Sequence, residues 1–144
     1  MLALVGLYFQ IWITRKSTDL QALQEFVRNA DQREDRLLDA ETDPKRDQAF
    51  NEFLNFLETS AGALNDNLYP KTTKRFVREK VRDSIATIQG VQIWHSKFEQ
   101  AITTDTTFTE LAKFMRRNRA DIDRIVKMRA ALATADTGTA PSPS

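Results

Sequence analysis

Residues 50–68 read Phe50-Asn51-Glu52-Phe53-Leu54-Asn55-Phe56-Leu57-Glu58-Thr59-Ser60-Ala61-Gly62-Ala63-Leu64-Asn65-Asp66-Asn67-Leu68, and this stretch decides the fold class. Phe50, Leu54, Leu57, Ala61, Leu64 and Leu68 recur at steps of four and three, which aligns them on one face of an α-helix. Phe53 and Phe56 widen that face beyond a narrow coiled-coil seam, so this helix must pack against more than one neighbour. Upstream, Asp43-Pro44 reads as an N-cap followed by Pro at the first helical position. Downstream, Asn65-Asp66-Asn67 and Tyr69-Pro70 close the helix.

The same period extends in both directions. Val77, Val81, Ile85, Ile88, Val91, Trp94, Phe98 and Ile102 average about 3.6 residues per step, which predicts one long helix. Gly90 falls inside it, and close approach of a neighbouring helix explains a glycine there better than a hinge does. After a polar link at 103–107, Thr107-x-x-Glu110 has the form of a capping box. Phe108, Leu111, Met115, Asn118, Ile122, Ile125, Arg129 and Leu132 then alternate steps of three and four. Asn118 is the polar seam member that could fix register or partner. On the N-terminal side, Leu20, Leu23, Val27, Ala30, Glu34 and Leu37 form a heptad-like seam, with no Pro or Gly between residues 7 and 43 to interrupt it. No strand-like alternation occurs. The expected class is all-α, with an N-terminal membrane helix continuing into an antiparallel bundle of three to four helices. The expected boundaries are an anchor at 1–16, helices near 17–41, 44–68, 71–102 and 107–132, and a disordered tail at 133–144.

Composition excludes several chemistries. The 144 residues contain no Cys, one His and four Gly at positions 6, 62, 90 and 138. Thiolate sites, two-histidine metal sites and glycine-rich phosphate loops are therefore absent from the sequence. Leu, Ile, Val and Phe make up 36 residues, a quarter of the chain and enough for a packed core. His95 lacks any spacing relation to a nucleophile. Glu52, Glu58, Asp121 and Asp123 could meet only across helices. No enzyme activity, metal or cofactor is expected.

The opening run Met1-Leu-Ala-Leu-Val-Gly-Leu-Tyr-Phe-Gln-Ile-Trp-Ile-Thr14 carries no charge and ends at Arg15-Lys16. Tyr8, Phe9 and Trp12 beside Arg15 and Lys16 have the composition of an interfacial membrane anchor. The positive-inside rule then places the rest of the chain in the cytoplasm, below an inner (plasma) membrane, with the N-terminus outside. A helix of 14 residues is about 21 Å long, short of the ~30 Å hydrocarbon core. The alternative is a buried helix of a soluble bundle.

The boundary Phe9-Gln-Ile-Trp-Ile-Thr-Arg-Lys16 is followed by the polar stretch Thr18-Asp-Leu-Gln-Ala-Leu-Gln24 and the helix Phe50-Asn-Glu-Phe-Leu-Asn-Phe-Leu-Glu58. A late Trp and Phe108-Thr-Glu-Leu111 complete the pattern. Over about residues 1–115 this resembles small uncharacterised bacterial proteins with one membrane helix and a cytoplasmic helical domain of unknown function. The resemblance implies a single-pass anchor and brings no activity or site residue with it; members usually have a longer apolar segment.

The net charge of +1 conceals polarity along the chain. Residues 1–70 carry 7 basic and 12 acidic side chains, and residues 71–144 carry 14 and 8. Two basic clusters stand out: Lys71, Lys74, Arg75, Arg78, Lys80 and Arg82, then Lys113, Arg116, Arg117, Arg119, Arg124, Lys127 and Arg129. In an antiparallel pair they would merge at one end of the bundle and could dock on anionic lipid or on nucleic-acid phosphates. Otherwise they are a solvated face paired with the acidic half. The expected partners are a lipid bilayer and a protein partner or second copy; the alternative is a soluble nucleic-acid-binding module.

Overall fold

The computed structural model describes the backbone of residues 2–104 and 106–137, and the side chains of these except 2–6, 8, 9, 104 and 137. Five α-helices account for nearly all of it: α1 Leu2–Asp39, α2 Asp43–Asn65, α3 Lys71–Gly90, α4 Gln92–Thr104 and α5 Thr109–Thr137. A 3-10 turn at Thr106–Phe108 precedes α5. No strand occurs among the described residues.

The local signals act much as expected, with small shifts. Thr42, one residue before Asp43, is the N-cap of α2, and Pro44 occupies the first turn, where its missing N–H costs nothing. At the other end Asn67 takes φ 60°, a left-handed conformation that Asn tolerates well. Leu68 N–H then donates to Ala63 O at 2.9 Å, and Asn67 N–H to Leu64 O at 3.2 Å. These two bonds satisfy the last carbonyls of α2.

Gly90 is where expectation and structure part. The helix ends there, Val91 is extended (φ −100°, ψ 110°), and a new helix starts at Gln92. A Cβ on Gly90 would meet nothing within 4 Å, so no neighbouring helix presses on it and the close-packing explanation is wrong. The apolar period runs on regardless, because α4 turns back and buries Trp94 and Phe98 in the same core. The corner has a topological consequence. With α4 as the return stroke, α5 runs parallel to α3, not antiparallel: Arg82 meets Asn118 and Asp121, and further along both helices Asp83 and Thr87 meet Arg129.

The core centres on Phe53, Phe98, Phe114, Leu54, Leu57, Ile85, Ile88 and Leu111, all essentially inaccessible. Each such side chain stabilises the fold by about 1.5–3 kcal/mol relative to exposure. Trp94 stacks on Phe50 at 5.2 Å between ring centroids, fixing α4 to α2, and Phe26 stacks on Phe56 at 5.4 Å, fixing α1 to α2. Partial burial of Tyr69 raises the pKa of its hydroxyl, partly countered by a hydrogen bond with Ser60. The start of α5 is closed from outside its own segment. Glu58 of α2 accepts the backbone amides of Glu110 (3.0 Å) and Leu111 (2.7 Å), and the Glu110 carboxylate accepts the Asn65 side-chain amide at 2.6 Å. The helix continues to Thr137, past the expected end at 132, and residues 138–144 of the expected tail lie outside the described residues.

The first part of α1 stands apart from this core. Every described side chain from Leu7 to Thr18 is exposed, and burial begins only with Asp19, Leu23 and Phe26. Leu7, Ile11, Trp12 and Ile13 are each about half exposed, so these residues do not form the buried helix of a soluble bundle. The expected transmembrane helix is not found either. Among the described residues no helix is long and apolar enough to cross a membrane. The physical reason is length: the apolar run meets Arg15, Lys16 and Asp19 within a few residues of its end, before a span is complete.

Candidate functional site

The parallel course of α3 and α5 brings only part of the two basic clusters together, and the thirteen residues do not form one free patch. Six of them pair with acids. Lys80 binds Asp31 (2.8 Å) and Glu34 (3.3 Å) of α1, and Arg82 binds Asp121 (2.8 Å). Arg124 also reaches Asp121, Arg129 pairs with Asp83, Arg119 approaches Asp123 at 3.9 Å, and Lys113 approaches Glu110 at 3.7 Å. The solvated, paired reading therefore describes about half of the clusters. Lys80 shows the effect most clearly. Burial works to lower its pKa, but the hydrogen bonds and charges of Asp31 and Glu34 more than offset this and raise it above the ordinary 10.5. The acidic first half and the basic second half thus meet where α1 packs on α3.

The seam residue Asn118 also turns inward. Its side-chain oxygen accepts Arg82 Nε at 2.9 Å and Nη2 at 2.6 Å, while its amide donates to Phe114 O at 2.8 Å. It fixes the register of α5 against α3 inside one chain.

What remains is concentrated. Lys74, Arg78, Arg82 and Arg117 line one cleft with Leu64, Asn65, Phe114 and Asn118, of about 260 Å³, between the end of α2, the first half of α3 and the first half of α5. No acidic residue lines it. Other clefts on the bundle carry both signs. The one between α1, α3 and α5 has Glu79, Asp83 and Asp121 against Lys80, Arg82 and Arg124, and the one beside α4 has Glu99 and Asp123 against Arg116 and Arg119. Within the basic cleft Arg82 is held by Asp121 and Asn118. Arg117 reaches the Asn65 side-chain oxygen at 3.5 Å, and Lys74 hydrogen-bonds Asn67. Arg78 is half-buried and has no ionic or hydrogen-bond partner among the described residues. Lys71 and Arg75 flank the cleft on the exposed face of α3, with the Arg75 guanidinium 5.1 Å from the Phe76 ring centroid. Arg116 and Lys127 are exposed elsewhere on α5.

Of the anchor residues, Trp12, Arg15 and Lys16 are exposed, and Lys16 Nζ lies 3.9 Å from the Trp12 ring centroid. The side chains of Tyr8 and Phe9 lie outside the described residues. His95 is exposed beside the buried Trp94. The four carboxylates do not gather. Glu52 pairs with Arg36, Glu58 caps α5, Asp121 holds Arg82 and Arg124, and Asp123 faces Arg119. Among the described residues no group of three His, Cys, Asp or Glu could hold a metal ion. Sequence spacing missed Glu58 and Asn65 as organising residues, since their partners lie 45 or more positions away.

No protein-family model matches the chain, and no curated protein or solved structure matches it.

Proposed function

We propose that this chain is a membrane-anchored helical interaction protein. The apolar head of α1 enters a bilayer, and the bundle presents its surface to a partner on the cytoplasmic side. The observation that carries this reading is the exposed, uncharged head, where Leu7, Ile11, Trp12 and Ile13 are each about half exposed, with Trp12 and Lys16 stacked where an interfacial anchor needs an aromatic and a cation.

The direction of the head supports it. Asp31 and Glu34 lie beside Lys80, and Leu23 and Val27 share a cleft with Phe76 and Glu79, so α1 and α3 run parallel. The head therefore leaves the bundle at the end where α3 begins with Lys71, Lys74 and Arg75, cations suited to an anionic leaflet. A head of 13 helical residues, Leu2 to Thr14, reaches about 20 Å, enough to pass one leaflet. Snorkelling of Arg15 and Lys16 and local thinning of the bilayer would ease the mismatch. The soluble nucleic-acid reading is the weaker one, because half of the cations it needs are occupied by internal acids.

Flotation of the full chain with uncharged phosphatidylcholine vesicles at high salt tests this proposal. Insertion of the head carries the protein up with the vesicles, since screening removes surface electrostatics and leaves apolar burial intact. An Ile11→Ser/Trp12→Ser variant stays at the bottom. Parent protein remaining at the bottom of the gradient overturns the proposal.

A further inference from the structure

We infer that the cleft lined by Lys74, Arg78, Arg82 and Arg117 is a binding site for a tetrahedral phosphate group, carried by a soluble phosphate or by a lipid headgroup.

Four cations around one cavity repel one another, and a folded chain ordinarily relieves such repulsion with acids, as it does for Lys80 and Arg129. Among the described residues only Arg82 of these four has an acidic partner, and Asp121 reaches it from outside the lining. Arg117 and Lys74 are steered by the neutral oxygens of Asn65 and Asn67, which orient the donors and leave their charge uncompensated. Arg78 makes no bond at all among the described residues. Guanidinium groups suit phosphate because their planar fork donates two parallel bonds to two oxygens.

The local backbone adds to the same field. The first turn of α3 holds Lys71 and Lys74 and no acid, so nothing offsets the positive end of its dipole. Size narrows the ligand. About 260 Å³ falls below the ~300 Å³ at which sites for drug-sized molecules begin. At ~30 Å³ per water it still holds a phosphate with several waters. Asn118 and Asp121 hold Arg82, so one donor is positioned before any ligand arrives.

This inference does not rest on the anchor proposal, and inorganic phosphate alone tests it. Calorimetric titration of the full chain at low ionic strength should show one saturable site. Arg78→Ala and Arg117→Ala should each weaken it about tenfold or more, the loss of a charge-assisted bond, and Arg78→Lys should lose less than Arg78→Ala. Lys127→Ala and Arg119→Ala, outside the cleft, should bind as the parent does. Arg117 is exposed, so its variant keeps the test decisive if Arg78→Ala melts early by circular dichroism. Phosphatidylcholine vesicles with and without phosphatidic acid, added as competitors, separate the sources. Displacement by the phosphatidic acid vesicles alone assigns a lipid headgroup, and no displacement assigns a soluble phosphate. Absence of saturation, parent-like binding by both cleft variants, or equal losses in all four alanine variants would overturn the site.

Discussion

Removing the Glu58 carboxylate should loosen the start of α5, because that helix is capped by a residue 52 positions away on α2. The carboxylate accepts two amides that have no partner within the helix, Glu110 N–H at 3.0 Å and Leu111 N–H at 2.7 Å. Loss of an N-cap costs about 0.5–2 kcal/mol. A negative charge at a helix start adds about 0.3–1 kcal/mol. Since both bonds are part-buried, Glu58→Ala should lose about 2–3 kcal/mol. Glu58→Gln, which keeps one accepting oxygen and drops the charge, should lose about 1 kcal/mol. For a chain of this size each kcal/mol moves the melting midpoint by roughly 4 °C. Urea unfolding followed by far-ultraviolet circular dichroism gives the free energies. Amide hydrogen exchange should quicken first at Glu110 and Leu111. A Glu58→Ala chain within about 0.5 kcal/mol of the parent, with unchanged exchange at these amides, would refute the argument.

Three further outcomes follow from the packing. Phe98→Ala empties a fully buried site on α4 and should cost about 3–5 kcal/mol in urea unfolding; a cost under about 1 kcal/mol would mean that α4 is not docked on the core. Gly90→Ala should be neutral or stabilise by up to about 1 kcal/mol, since a Cβ there meets nothing and the backbone needs no left-handed conformation. Marked destabilisation would restore the close-packing explanation. The Lys80 pKa is raised in the folded chain, so its ion pairs stabilise fully below pH 10.5 and fade as pH rises through the folded value. The stability difference between parent and Lys80→Met should accordingly be flat from neutral pH up to that value and shrink above it; a difference that grows above neutral pH contradicts the pairing with Asp31 and Glu34.

The apolar spacing made the helices legible because burial on one face is written locally, every three or four residues. Phe50 to Leu64 and Val77 to Ile88 are buried as the stripe implied. The corner at Gly90-Val91 was not legible. Trp94 and Phe98 keep the phase of the preceding helix while packing from a new direction, so periodicity alone cannot register the turn. That one corner reverses the relation of α3 to α5 and decides which cations share a cleft. Phe114 fell off the three-four seam of α5 and is nevertheless core, because α5 is covered by α2, α3 and α4 together and buries a wider face than a coiled coil would. The apolar head was visible as a charge-free run, and its continuity with α1 followed from the lack of Pro and Gly. The Glu58 cap and the Arg82–Asn118–Asp121 cluster were invisible, since side chains 36 to 53 residues apart meet only once the helices are placed.

Entry of the α1 head into a bilayer can be read from the indole at position 12. The chain has two tryptophans, and Trp94→Phe leaves Trp12 as the sole emitter while keeping an aromatic ring against Phe50. On vesicles containing lipids brominated along their acyl chains, Trp12 emission should shift to the blue, with quenching strongest for bromines near the headgroups. Emission that stays at the wavelength of a water-exposed indole and is not quenched, in protein that circular dichroism shows to be folded, would contradict it.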